Sequence, residues 1–395
     1  MNVLVLNAGS SSLKYQLINV ETHEVLAKGI CERVGSAEAF HKHGIDENEV
    51  VIDTPMPDHN AAMALVLEAL TSGPTKAIDS LDDIDAVGHR VVQGGKYFDR
   101  SVLIDDDVVA KIDELAELAP LHNKAALMGI EACREQMPGK PMVAVFDTSF
   151  FQTIPPKAYM YPLPYELYEK HAIRKYGAHG TSVRYVSGKA AELLGKDLKD
   201  LKLVVCHLGS GASVTAVKDG KCYDTSMGFS PLAGVTMGTR SGDVDPSVLQ
   251  YIMKKEGITD FNEMIDILNH KSGLLGLSGI SSDMRDIRNS DDKRAKLAEA
   301  VFINRVVRYV GSYIAEMGGA DAVVFTAGIG EHDDEVREGV MKPLSFMGVD
   351  FDDVANKAAN EGFITKEDSK LAGLIIPTDE ELMIERDVVR LAKLK

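Results

Sequence analysis

The feature that most restricts the fold of this chain is a repeat across half its length. Setting Gly9 on Gly209, 200 positions on, aligns VLVLNAGSSSLKYQLI with LVVCHLGSGASVTAVK. Each copy reads as an apolar strand, a Gly/Ser turn and a second strand with alternating faces. In the first copy Leu13, Tyr15 and Leu17 fall on one face and Ser12, Lys14 and Gln16 on the other. A second, weaker match sets DAVGHRVVQGG, starting at Asp85, beside DAVVFTAGIGE, starting at Asp321, each a strand running into a glycine-rich turn. Two matches in the same order predict two lobes built on one plan.

Between these landmarks strands and helices alternate. Residues 3–6, 86–92 and 142–146 read as strands and residues 61–70 and 108–118 as helices, an α/β pattern. Asp245 followed by Pro246 is a helix start that Gly257 closes, and Ser290 is expected to open a long helix ending at Gly318 and Gly319. A length of 395 residues suits two to three domains. No low-complexity linker divides them, so the Pro-rich residues 154–164 are the best place for one lobe to hand over to the other. The net charge of −17 repels nucleic acid and anionic membranes, and neither is expected as a partner. Four cysteines lie far apart without a CxxC pair, which reads as buried free thiols. The apolar start is too short for a signal peptide and no 18-residue apolar run occurs, so a cytoplasmic location without a membrane span is expected.

The chain has no GxxxxGK[ST] and no GxGxxG between a strand and a helix, which sets aside the P-loop and the dinucleotide fingerprint. The remaining phosphate grip is the pair of hairpin turns, where glycine lets backbone N–H groups come close and serine adds donors. Lys14 shares a face with Ser12, either as a point charge over those phosphates or as an exposed strand residue. His89 and Arg90 end an apolar strand, where α/β folds open their ligand crevice. Arg240, in GTRSGDVDP, is flanked by glycines and suited to gripping an anion bidentately. Asp147 follows a strand in FDTSF and could orient magnesium or a nucleophile, or cap a turn. His179 in GAHGTS and Glu380 in PTDEEL are single polar loop residues for which a structural role serves as well.

Taken together and in order, LNAGSSSLKY, GHRVVQGG, APLHN, FDTSF, HGTS, CHLGSGAS, MGTRSGDVDP, SSDMRD, TAGIGE and PTDEEL resemble the acetokinase family over essentially the whole chain. That family lies within the superfamily of acetate and sugar kinases, heat-shock chaperones and actin. The resemblance implies two duplicated ribonuclease H-like α/β lobes of the actin-like ATPase fold with an active-site cleft between them. The lobes are expected at residues 1–149 with 381–395 and at residues 150–380. It implies reversible phosphoryl transfer from ATP to acetate, giving acetyl phosphate and ADP, with Mg2+ or Mn2+ as cofactor and a homodimer as the assembly. Asn7 and Glu380 match metal positions, and Lys14 a nucleotide-binding lysine. Arg90 matches the holder of the substrate carboxylate, within an acyl pocket of Val92, Leu121, Ala178 and Pro231. His179 and Arg240 match the groups that stabilise the phosphoryl group in transit, and Asp147 a residue usually given proton transfer. The nucleotide is expected at His207, Leu208, Gly209, Ser210 and Gly211, at Asp283, Met284 and Arg285, and at Gly328, Ile329, Gly330, Glu331 and His332.

A carboxylic acid with a pKa of about 4.3 is already ionised at neutral pH, so the reaction needs no general base, and Asp147 is expected to work through orientation. Ala178 stands where the family commonly has Phe, which predicts a larger acyl pocket and good use of propionate. Val183, Ser210 and His332 stand where it usually has His, Asn and Asn. Two other readings compete: a chaperone- or actin-like ATPase switch, disfavoured because the two arginines offer a small-anion site, and a sugar kinase, which would need Asp147 as base.

Overall fold

Asn2 and Lys202, 200 positions apart, begin equivalent strands and make the same pair of bonds. Asn2 N donates to Asp85 Oδ2 at 2.7 Å while its carbonyl accepts from Asp85 N at 2.9 Å. Lys202 N donates to Asp321 Oδ2 at 2.9 Å while its carbonyl accepts from Asp321 N at 2.8 Å. Both sequence matches therefore lie at corresponding places in two copies of one motif. The computed structural model describes residues 1–45 and 48–394, with Leu121 described by its backbone alone. The chain divides into two compact units, Met1–Phe150 with Asp379–Lys395, and Phe151–Thr378.

The first unit holds β1 (Asn2–Gly9), β2 (Ser12–Asn19), β3 (Val25–Glu32), β4 (Phe40–Ile45), β5 (Asn48–Asp53), β6 (Ala86–Val91), β7 (Val102–Leu103) and β8 (Met142–Phe146), in the order β5-β4-β3-β2-β1-β6-β8-β7. The second holds β9 (Lys202–Leu208), β10 (Ala212–Lys218), β11 (Lys221–Thr225), β12 (Ala322–Thr326), β13 (Gly362–Phe363) and β14 (Ala372–Ile375), in the order β11-β10-β9-β12-β14-β13. In both, an antiparallel hairpin (β1/β2, β9/β10) carries two parallel strands on its other side (β6 and β8, β12 and β14). The duplication is thus one of topology as well as of sequence.

Alternation along β1 separates two cores. Leu4 and Leu6 join Ala132 and Cys133 of the helix Pro120–Gln136, while Val3 and Val5 join Ile384 and Val388 of the helix Glu380–Ala392. Gly88 is what lets the second helix come so close, because a Cβ there would stand 2.5 Å from Ile384 Cγ2 and 2.8 Å from Val388 Cγ2. The alternation read along β2 holds, with Leu13, Tyr15 and Leu17 buried and Lys14 exposed. In the second unit the helix Lys293–Met317 contributes Phe302, Val306 and Val310 to the main core, with Cys206, Val214 and Phe325 of the sheet.

Several boundaries differ from expectation. The long helix starts at Lys293 on an Asp292 cap, and Ser290 Oγ instead accepts from Asp292 N at 3.2 Å. The helix expected over 108–118 spans Asp106–Glu114 and tightens into a 3-10 turn. The glycine-rich segment after β12 is not an open turn but a short helix, Ala327–His332, entered through a left-handed Ala327 at φ 64°. All four cysteines are buried and free. No helix among the described residues is long and apolar enough to cross a membrane.

Candidate active site

In the first unit the parallel register decides which side chains meet. Leu6 pairs with His89 and Arg90 with Val145, so Asn7, Arg90 and Asp147 emerge at the same ends of β1, β6 and β8. Arg90 Nη2 donates to Asp147 Oδ2 at 2.6 Å and Nη1 to Asn7 Oδ1 at 3.4 Å. Glu380, first residue of the helix that Gly88 admits, brings Oε2 to 3.7 Å from Arg90 Nε. Asp147 is buried, and its charge holds the Arg90 guanidinium firmly protonated. Burial, reinforced by the Asp147 carboxylate, pushes the Glu380 carboxyl up to about 7. Two acids therefore share one arginine, and a further cation is favoured beside them. Asn7, Asp147 and Glu380 offer hard oxygen donors only, the chemistry magnesium takes, and Mg2+ is usually held by one or two protein carboxylates plus substrate phosphates and water. No group of three or more His, Cys, Asp or Glu among the described residues could hold a metal. Lys14 lies opposite Asn7 across the hairpin. Val92 directly follows β6, and its carbonyl accepts from Thr148 N at 3.2 Å. Leu121 lies on the helix Pro120–Gln136, and its side chain is outside the described residues.

In the second unit the turn after β9 is closed by Gly209 N donating to Gly211 O at 3.1 Å. A Cβ on Gly211 would stand 3.5 Å from Arg240 Nη1 and 3.7 Å from His179 Nε2, so both side chains lie against the turn. Arg240 meets neutral groups only, the Pro231 carbonyl at 3.4 Å and Met237 Sδ at 3.7 Å, and burial pulls its pKa below the usual arginine value. A half-buried guanidinium without a counter-charge is set to receive an anion. His179 is the left-handed residue that opens the helix Gly180–Leu194, at φ 66°, and its ring stacks on His207 with centroids 4.0 Å apart.

Beside this turn lies a cavity of about 480 Å³. Of the residues assigned to nucleotide, Gly209, Ser210, Asp283, Met284, Arg285, Gly328, Ile329 and His332 line it. Gly330 and Glu331 do not; Glu331 Oε1 instead braces the segment, accepting from Ala327 N at 2.7 Å and Thr378 N at 3.2 Å. Leu208 is core. Ser282, Arg288, Asp333 and Asp334 line the cavity and were not anticipated. Arg288 ties Glu299 and Asp333, each at 2.6 Å, and Glu335 at 3.2 Å, so its charge is consumed locally. The signal was weak, since its partners lie 11 to 47 positions away in charge-rich helices. Ala178 is buried in the second unit's core, and at the preceding Gly177 a Cβ would meet Phe151 Cδ2 at 2.7 Å.

A family model described as the acetokinase family matches residues 2–386. The chain belongs to the acetokinase family. An acetate kinase of Caldanaerobacter subterraneus subsp. tengcongensis is 53% identical over 399 residues, covering 100% of this chain and 99% of the relative. The crystal structure of Porphyromonas gingivalis acetate kinase superposes with a TM-score of 0.96 at 45% identity, over 99% of each chain. A propionate kinase from Francisella tularensis subsp. tularensis superposes with a TM-score of 0.91 at 42% identity, over 98% of each. The duplicated α/β topology is that of the family, the actin-like ATPase fold.

Proposed function

We propose that this chain is an acetate kinase that transfers the terminal phosphoryl group of ATP directly to the acetate carboxylate. The observation that carries the reading is Arg240: a half-buried guanidinium with neutral partners only, beside Gly211 in the same turn whose Gly209 and Ser210 line a nucleotide-sized cavity. The base and ribose occupy the cavity, and the phosphates run over Gly209 and Gly211 towards Arg240 and His179. Arg90 holds the acid, exchanging its hydrogen bond to Asn7 for one to the substrate carboxylate. Asn7 and Glu380 hold magnesium, with Lys14 nearby as a point charge. The metal neutralises charge on the phosphates when bound. The protein's part is positioning and charge stabilisation at the phosphoryl oxygens, by Arg240 and by the His179 imidazole. A dimeric, cytoplasmic enzyme is the form that the family resemblance supports.

Asp147 acts by orienting Arg90, because its Oδ2 is the acceptor of the 2.6 Å bond that fixes the guanidinium plane. Acetate needs no deprotonation, so a base would have nothing to remove. Ala178, smaller than the ring common in the family, supports turnover of propionate as well. Trapping acyl phosphate with hydroxylamine tests these points together. Acetate and propionate are expected to give product within a hundredfold of each other in kcat/KM, and glucose and glycerol none. Phosphate release without trapped product would instead mark an ATPase switch. A limb of the wild-type pH profile that Asp147→Asn abolishes would return proton transfer to Asp147.

A further inference from the structure

Two stacked imidazoles face the phosphate turn, and each has its Nδ1 tied to a buried serine. His179 Nδ1 lies 2.9 Å from Ser213 Oγ, and His207 Nδ1 lies 2.8 Å from Ser182 Oγ. Both serines are fully buried. A hydroxyl has one proton to give, and a neutral imidazole has one nitrogen that donates and one that accepts. Ser213 Oγ makes no other hydrogen bond among the described residues. If His179 carried its proton on Nδ1, Ser213 would accept it and its own proton would be left buried without an acceptor, at a cost of about 1–3 kcal/mol. Ser213 therefore donates, and the His179 proton sits on Nε2, the nitrogen beside Gly211 and Arg240. Ser182 Oγ has a second neighbour, Thr378 Oγ1 at 2.7 Å. Thr378 donating to Ser182, and Ser182 to His207 Nδ1, satisfies every group in that chain within the protein and leaves the His207 proton on Nε2 as well.

We propose that Ser213 and Ser182 are positioning residues that fix both stacked histidines as neutral Nε2–H donors. Their role toward the phosphoryl group rests on the kinase reading above; the tautomers do not. The arrangement has a further physical reason: two rings 4.0 Å apart cannot both be cationic without strong repulsion. Arg240 then supplies the fixed positive charge, and the histidines supply directed N–H groups that bind phosphoryl oxygens without taking up protons. Thr378 also donates its backbone N–H to Glu331 Oε1, so the same residue secures the segment after β12 and the His207 ring.

The tautomers are read directly in the free, full-length protein by long-range 1H–15N correlation at about pH 8, where neutral imidazole prevails. Both rings are expected to show a bare Nδ1 and a protonated Nε2. Ser213→Ala is expected to shift His179 towards a mixture of tautomers and lower kcat roughly tenfold, with KM for acetate unchanged and Ser213→Thr restoring both. Ser182→Ala does the same to His207 and raises KM for the nucleotide. A protonated Nδ1 on either ring of the wild type overturns the inference. So does a folded Ser213→Ala variant with wild-type spectrum and kcat. If either alanine variant does not fold, the wild-type spectrum alone decides. Correct tautomers in a protein that makes no acyl phosphate would uphold this inference and reject the kinase reading.

Discussion

Arg90→Met is expected to lower kcat/KM for acetate by about 100 to 1,000-fold while ADP still binds with wild-type affinity. The activity loss follows from the loss of the guanidinium that pairs with the Asp147 side chain at 2.6 Å and lies 3.7 Å from Glu380 Oε2. The same substitution destabilises the protein, because removing one partner of a buried pair strands the other charge, at a cost of about 3 kcal/mol. Its pH dependence has a definite sign. The Glu380 carboxyl is pushed up to about 7 in the folded chain, well above the usual glutamate range, and Arg90 is the contact that restrains it from rising further. Without Arg90 the folded state keeps a proton that the unfolded chain has released. Stability is then intact below about 4.5 and falls as pH rises through and beyond 7. Thermal unfolding of wild type and variant at about pH 5 and about pH 8, with calorimetric titration of ADP, checks both halves. Arg90→Lys keeps the charge but not the fork, and its activity should lie between the two.

Arg240→Ala gives the contrasting result. Loss of about 100 to 1,000-fold in kcat is expected, with little change in KM for acetate, because its charge is used as the phosphoryl group moves. Stability should change by no more than about 1 kcal/mol, since no carboxylate among the described residues depends on Arg240 and its bonds go to a carbonyl and a thioether. Steady-state kinetics beside thermal unfolding tests the pair of expectations. A folded Arg240→Ala enzyme with wild-type kcat would remove Arg240 from the site.

How much of this was legible in the sequence depended on how local the signal was. Turn chemistry is local, so the Gly/Ser turns revealed two copies of one motif, and the hairpin with its two parallel neighbours recurs in both sheets, although the first carries two more strands, β4 and β5. Arg90 and Asp147 were visible as motif residues, but their 2.6 Å contact spans 57 positions and depends on the parallel register of β6 and β8. Gly88 looked like part of a motif around Arg90; its physical work is to admit the helix that presents Glu380. The Ser290 cap failed because two candidates stood within one turn and the helix took Asp292. Asp283, assigned to nucleotide, lines the cavity with its carboxylate held by Arg285 at 2.6 Å, so Arg285 is left to present its guanidinium plane. Val183, a departure from the family pattern, is a fully buried helix residue, and packing accounts for it. Ser182, Ser213 and Thr378 all stand inside quoted motifs, yet their roles follow from hydrogen bonds that sequence spacing does not display.

In the proposed reaction the acid's carboxylate takes the phosphoryl group from ATP in a single in-line displacement, with no protein nucleophile between. ATP made chiral at the γ-phosphorus with oxygen isotopes tests it most directly. Acetyl phosphate formed by the wild-type enzyme is predicted to show inverted configuration at phosphorus. Retention, the signature of two displacements through a phosphorylated side chain, would contradict it.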